Sequence, residues 1–297
     1  MADTIFIGLS LASILLLVAL GLTITYGAMG VINMAHGELV MIGAYTAVMA
    51  AIYLKLNMIL AIPLAFLVAA GLGLLIERLV IRHLYGRILD TLLATWGISL
   101  LLQQAIRLEF GLSFINIHVE GLGSGLQNLS VPEFLNQAYD LGGFTVQPYR
   151  SFIIVVTIAL AALTWFLMYK TRIGIQVRAI MRNPQMAAAF GIDVRQVSAL
   201  TFAYGSGLAG VAGVMLAGFK TVSPDMGSSL VVDGFLVVVM GGVGSLLGSA
   251  AAAGLLGEIN GIIAMVTNDI FARAVVFALV IAVIMWRPNG LFSFKGR

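Results

Sequence analysis

From Ile5 to Tyr26 the chain carries no charged side chain. A helix needs about 20 apolar residues to cross a bilayer, and this run supplies them. Predominantly apolar stretches recur at Met58 to about Val80, Leu89 to Ile106, Ser151 to Tyr169, Ala199 to Phe219 and Phe271 to Trp286. Shorter apolar stretches, Val40 to Leu54 and Leu230 to Met240, adjoin polar or glycine-rich breaks, and the second continues beyond its break to Val266. In lipid every backbone N–H and C=O must be satisfied internally, so spanning segments are helices or closed barrels. The short alternating strands of a barrel are absent. The expected fold class is an all-α polytopic integral membrane protein of eight or nine membrane segments with glycine-broken helices. Composition agrees: 10% of residues are charged, against about 25% in soluble domains. No linker divides the chain, which reads as one transmembrane domain over residues 1–297.

Charge placement sets the expected topology. Basic residues crowd three short segments: Arg78, Arg82, His83 and Arg87; Lys170, Arg172, Arg178, Arg182 and Arg195; and Arg287, Lys295 and Arg297. Lys and Arg concentrate on the cytoplasmic side of a membrane, which places these segments and the C-terminus inside. Between the flanking Arg107 and Arg150 lie Glu109, Glu120, Glu133 and Asp140 and no Lys or Arg. That loop is expected to be external, with some structure of its own. The net charge of +3 is spread over loops beside spans, so it forms no continuous basic face for nucleic acid. With no cysteine there is no disulfide or thiolate metal site. Asp3 stands where a secretory leader carries basic residues, so the N-terminal run reads as a span.

Within the basic Lys170–Arg195 loop a short helix has clear ends. Asn183 suits the N-cap and Pro184 the first helical position. Gln185 to Phe190, with Ala187 and Ala188, favours helix. Gly191 is placed to close it in a left-handed conformation. A capped helix is more than a plain connector needs, and the alternative is an ordinary cytoplasmic loop with a helical turn.

Other motifs weigh less. Gly205-Ser-Gly207-Leu-Ala-Gly210 spells a dinucleotide fingerprint but lies in an apolar helix without a preceding strand. Close helix packing is the better reading, and the same holds for Gly244-xxx-Gly248 and Gly257-xxx-Gly261. The chain has no P-loop. His36, His83 and His118 are scattered, so no metal site is expected. Polar groups at membrane depth normally face a cavity or a partner. Asn33, His36, Glu38, Thr95, Ser99, Gln103, Gln104, Asp233, Glu258 and Asn260 are the candidates. For Gln103 and Gln104 a helix–helix hydrogen bond is preferred. Asp233 is expected near an external mouth. Glu258 and Asn260 are two apart, so they point about 200° apart on an intact helix. Gly241, Gly242 and Gly244 open the break Gly241–Ser249, which points to a pathway, because freed backbone groups are satisfied where they line a cavity.

Three stretches carry a family likeness: GLTITYGAMGVINMAHGELVMIGAY (Gly21–Tyr45), RAIMRNPQMAAAFGID (Arg178–Asp193) and VVDGFLVVVMGGVGSLLGS (Val231–Ser249). They resemble the branched-chain amino-acid type permeases of ABC importers, and LLATWGISLLLQQ (Leu92–Gln104) looks closest to the urea-permease branch. The resemblance implies a second, related permease subunit, two cytoplasmic ATPase subunits that bind ATP and Mg, and an extracytoplasmic solute-binding protein. The chain itself would hold no cofactor, sit in the bacterial inner membrane and perform no chemistry. Arg178, Asn183, Pro184, Ala187, Ala188 and Gly191 would belong to the coupling helix that meets an ATPase. The expected function is an ATP-driven importer permease for a small polar solute, urea first, with a branched-chain amino acid as the alternative. A passive solute channel and an intramembrane enzyme are the rivals from other classes. The channel needs no capped cytoplasmic helix, and the scattered His and carboxylates give the enzyme no convergent site.

Overall fold

The computed structural model describes residues 2–107, 127–140, 145–288 and 290–292. The expectations for Glu109, Glu120, His118, Lys295 and Arg297 lie outside these residues. The described chain is overwhelmingly helical. In chain order the helices are α1 (Ala2–Met29), α2 (His36–Tyr53), α3 (Met58–Leu79), α4 (Ile88–Arg107), α5 (Glu133–Asn136), α6 (Pro148–Lys170), α7 (Arg172–Arg182), α8 (Pro184–Ala189), α9 (Val194–Ala217), α10 (Met226–Gly241), α11 (Leu246–Val266) and α12 (Asp269–Trp286). Five helices are long and apolar enough to cross a membrane, α1, α3, α6, α9 and α11, while α10 and Ile270–Trp286 are shorter apolar helices. The expected external loop does contain local structure. Besides α5, Tyr139–Asp140 pairs antiparallel with Thr145–Val146.

Short polar side chains set the helix starts. Asn57, Thr171, Asn183, Asp193, Ser245 and Asn268 each accept a hydrogen bond from a backbone N–H of the first turn. Each such cap contributes about 1 kcal/mol.

The chain forms two compact units. One comprises Met29–Ser130 and Asp193–Val232; the other comprises Met1–Ala28, Val131–Ile192 and Asp233–Arg297. In the first unit α9 is the central helix, packed on α2 and α3. Its small residues explain how. A Cβ on Gly213 would strike the carbonyl of Val40, and one on Gly43 would strike Gly210. A Cβ on Gly207 would lie 2.5 Å from the ring of Phe66. The G-x-G-x-x-G run is therefore a packing surface, as expected.

In the second unit α11 packs on α1 by the same device: a Cβ on Gly257 would lie 2.5 Å from Ala12 Cα, and one on Gly261 2.8 Å from Gly8 Cα. A buried Thr23–Ser249 hydroxyl pair at 2.6 Å joins the same two helices. Gly244-xxx-Gly248 differs from expectation. Gly244 has φ +77° and lies in the turn between α10 and α11, so only Gly248 packs from a helix, against Gly241.

Candidate functional site

In the first unit the polar candidates converge where the start of α2 meets α4. Thr91, Thr95, Ser99 and Gln103 follow at intervals of four along α4, so they share one face of an otherwise apolar helix. Glu38 Oε1 accepts from Ser99 Oγ at 2.9 Å and from Gln103 Nε2 at 2.8 Å. Gln103 Nε2 also lies 2.9 Å from Ser228 Oγ, at the start of α10. Thr95 Oγ1 accepts from the Met34 backbone N–H at 3.1 Å, which ties down the break between α1 and α2. Asn33, His36 and Glu38 are fully buried. Among the described residues, Glu38 Oε2 and both amide atoms of Asn33 have no hydrogen-bond partner, and no cation stands within ion-pair distance of Glu38. Gln103 makes the interhelical bond expected of it, and the bond ends on the buried carboxylate. The four-residue period of hydroxyls and amide on α4 was the signal for this cluster.

The remaining pathway candidates belong to the second unit. Asp233 is ion-paired with Arg273 of α12 at 3.0 Å. Its partner is thus within the chain, and Arg273, a cation in an apolar helix, is the residue that the sequence reading passed over. Glu258 and Asn260 lie on an unbroken α11, so they cannot share a face. Glu258 packs against Gly8, where a Cβ would stand 2.6 Å from Oε2.

Within Gly241–Ser249 the break is confined to a tight turn over residues 242–245, with Gly242 at φ +100° and Gly244 at φ +77°. Its freed carbonyls are satisfied by protein. Leu291 N–H donates to Met240 O at 2.8 Å, and Phe292 N–H donates to Gly241 O at 3.2 Å. The turn lies at the end of the unit that carries the basic loop. Gly244 shares a cavity of about 480 Å³ with Thr23 and Gly27 of α1, Met168 and Tyr169 of α6, and Arg178 and Arg182 of α7.

The basic loop contains two helices where one was expected. Thr171 caps α7, whose Gly174, Val177 and Ile180 are buried at a spacing of three. Gly174 is required because a Cβ there would strike the Leu167 and Met168 carbonyls of α6. The short helix α8 has the ends its sequence predicts. Asn183 Oδ1 accepts from Met186 N–H at 3.0 Å, and Pro184 opens the helix. Gly191 takes φ +83°, with Gly191 N–H donating to Ala188 O and Ile192 N–H to Ala187 O, a Schellman closure. Ala187 is buried and is the inward anchor of α8. The exposed face carries Met186, Ala188 and Phe190, the last 81% exposed.

A further polar pair was passed over. Tyr85 donates to Oε1 of the buried Glu77 at 2.5 Å. Burial, and next the bond to Glu77, pushes the Tyr85 phenol far above its ordinary range. The described residues contain no group of three or more His, Asp or Glu able to hold a metal ion.

Against known proteins, residues 4–284 match the family described as branched-chain amino acid transport system / permease component. The high-affinity branched-chain amino acid transport system permease protein BraD of Pseudomonas aeruginosa is 32% identical over 297 residues, covering 96% of this chain and 94% of BraD. LivH of Escherichia coli K12, a permease protein of the same description, is 30% identical, with 97% and 94% covered. The autoinducer 2 import system permease protein LsrD of Yersinia enterocolitica is 30% identical, with 79% of this chain and 69% of LsrD covered. No solved structure matches the chain.

Proposed function

The chain belongs to the permease-component family of branched-chain amino acid transport systems, and we propose from that premise that it is the permease subunit of an ATP-driven importer of such amino acids. The observation that carries the mechanism is α8, a rigid, doubly capped helix with Met186 and Phe190 exposed. A passive channel has no use for such an element. In this reading two cytoplasmic ATPase subunits bind ATP and Mg and receive the exposed face of α8. A second, related permease subunit completes the pathway, and an extracytoplasmic solute-binding protein delivers the solute. The chain is a multi-pass inner-membrane protein of eight or nine segments, with residues 107–150 external and Lys170–Arg195 and the C-terminus cytoplasmic. It carries out alternating access rather than bond chemistry.

Asn33, His36, Glu38, Thr95 and Gln103, together with Gly241, Gly242, Gly244 and one of Glu258 and Asn260, are proposed to border the route. The buried Glu38 carboxylate has an open acceptor and no cation, an arrangement that suits the ammonium group of an amino acid. Urea is the second reading and rests on Leu92–Gln104, the stretch that forms the polar face of α4. Uptake of labelled leucine and urea in a strain lacking this chain tests both. Loss of ATP-dependent leucine uptake, restored by the chain, is expected. Loss of urea uptake alone would reverse the substrate, and uptake that persists after ATP depletion would remove the importer.

A further inference from the structure

We propose that the cavity beneath the basic loop is a binding site for an anionic phospholipid, with the phosphate on Arg178 and Arg182. Among the described residues the ion pairs are Arg87–Asp90 and Arg273–Asp233, so neither cavity arginine is neutralised by a carboxylate. Arg178 is held in place: its Nε donates to Gly174 O at 3.4 Å, and its guanidinium carbon lies 5.0 Å from the centre of the Tyr169 ring. Both arginines line the cavity, and guanidinium binds phosphate oxygens in pairs.

Size decides what kind of anion fits. A volume of about 480 Å³ is within the range of pockets that hold whole small molecules, so a lone phosphate would leave most of it empty. Apart from Thr23 and Tyr169 the rest of the lining is apolar, with Ile24, Met168 and Met181 along the walls. A charged head and an apolar wall call for an amphiphile. Gly27 and Gly244 keep the space open. A Cβ on Gly244 would stand 2.7 Å from Met181 Cε, and one on Gly27 would strike the same methyl.

The surroundings place the cavity at headgroup depth. Lys170 stands 5.8 Å above Trp165, and Arg287 5.1 Å above Trp286. Aromatic rings beside cations at helix ends mark the membrane–water boundary. The α7 helix buries Val177 and Ile180 and exposes Arg172, Arg178 and Arg182, the habit of a helix lying in the interface. Basic pockets between transmembrane helices hold lipid headgroups.

The test uses the assembled transporter, purified through this chain in detergent and titrated with phosphatidylglycerol, phosphatidylcholine or inorganic phosphate. Thermal stability and lipid retained in native mass spectrometry are the readouts. Phosphatidylglycerol is expected to raise Tm and to stay bound, with phosphatidylcholine inert. R178Q/R182Q should weaken the lipid effect by about tenfold to a hundredfold, as expected for loss of one or two charge-assisted hydrogen bonds. Met181→Phe fills the apolar wall without touching charge and should also release the lipid, so the proposal stays testable if the double variant fails to fold. Equal stabilisation by phosphatidylcholine would overturn the proposal, as would an unchanged response in R178Q/R182Q and Met181→Phe. The same shift from inorganic phosphate alone would assign the arginines to a free anion and overturn the lipid.

Discussion

Arg273 donates to Asp233 across 3.0 Å, joining the middle of α10 to the start of α12. Two charges in apolar helices thereby satisfy one another. Breaking a buried pair from one side costs about 3–5 kcal/mol, and less is expected here because the Arg273 side chain is 40% exposed. Asp233→Asn and Arg273→Gln are each expected to lower the amount of assembled transporter. The exchange Asp233→Arg with Arg273→Asp should recover much of it. Membrane levels and uptake of the three variants measure this. A single variant that assembles fully but does not transport would return Asp233 to the role of a mouth residue.

The Glu38 cluster separates scaffold from pathway. Ser99→Ala removes one of two donors to Glu38 Oε1, a loss of about 1–2 kcal/mol. It should leave uptake within a few-fold of the original. Glu38→Gln keeps size and hydrogen bonding but removes the charge, and it should depress uptake by tenfold or more at normal protein levels. If Glu38→Gln transports normally while Glu38→Ala fails to assemble, the carboxylate is structural.

The coupling prediction concerns α8. Gly191→Val forces a β-branched residue into positive φ, and Ala188→Glu or Phe190→Asp puts charge on the exposed face. All three should insert normally yet lose ATPase co-purification or solute-stimulated hydrolysis on reconstitution. Ala187→Asp should differ from them. It buries a charge beneath α8 and should lower protein levels as well.

Topology is open to direct labelling, because the chain has no native cysteine. Ser130 and Gln185 are both exposed. Cysteine at Ser130 should react with an impermeant reagent in intact cells, and cysteine at Gln185 only after lysis. The opposite pattern would invert the orientation.

Tyr85→Phe leaves Glu77 Oε1 buried without its phenol donor, a cost of about 1–3 kcal/mol. The phenol's folded value is raised, so its contribution is fully present below the unfolded value near 10. It is lost only as pH rises through the higher folded value. Tyr85→Phe should therefore lower Tm at neutral pH and show less alkaline loss than the original chain.

Local chemistry was legible from sequence, and partnership was not. The caps at Asn183 and Pro184 and the closure at Gly191 could be read because each depends on neighbours within a few residues. Thr95, Ser99 and Gln103 of α4 were each noticed and Thr91 was not, and their common face emerges only from the spacing of four. Arg273 was hidden by an apolar average, and its partner lies 40 residues away. The α7 helix looked like loop because its arginines dominate its composition, while Gly174, Val177 and Ile180 fasten it by position. Gly241–Ser249 was read as a wound in a helix that needed a cavity. The donors that close it come from residues 291 and 292, beyond the reach of any local pattern.

That closure imposes an order on biogenesis. The carbonyls of Met240 and Gly241 receive their N–H donors from Leu291 and Phe292, so α11 and α12 must both be synthesised and inserted first. Until then these two carbonyls lack the donors that satisfy them in the folded chain, and a backbone acceptor left unsatisfied in lipid is costly. A stop codon placed before Leu291 would leave every membrane helix intact on paper while stranding a joint laid down some fifty residues earlier.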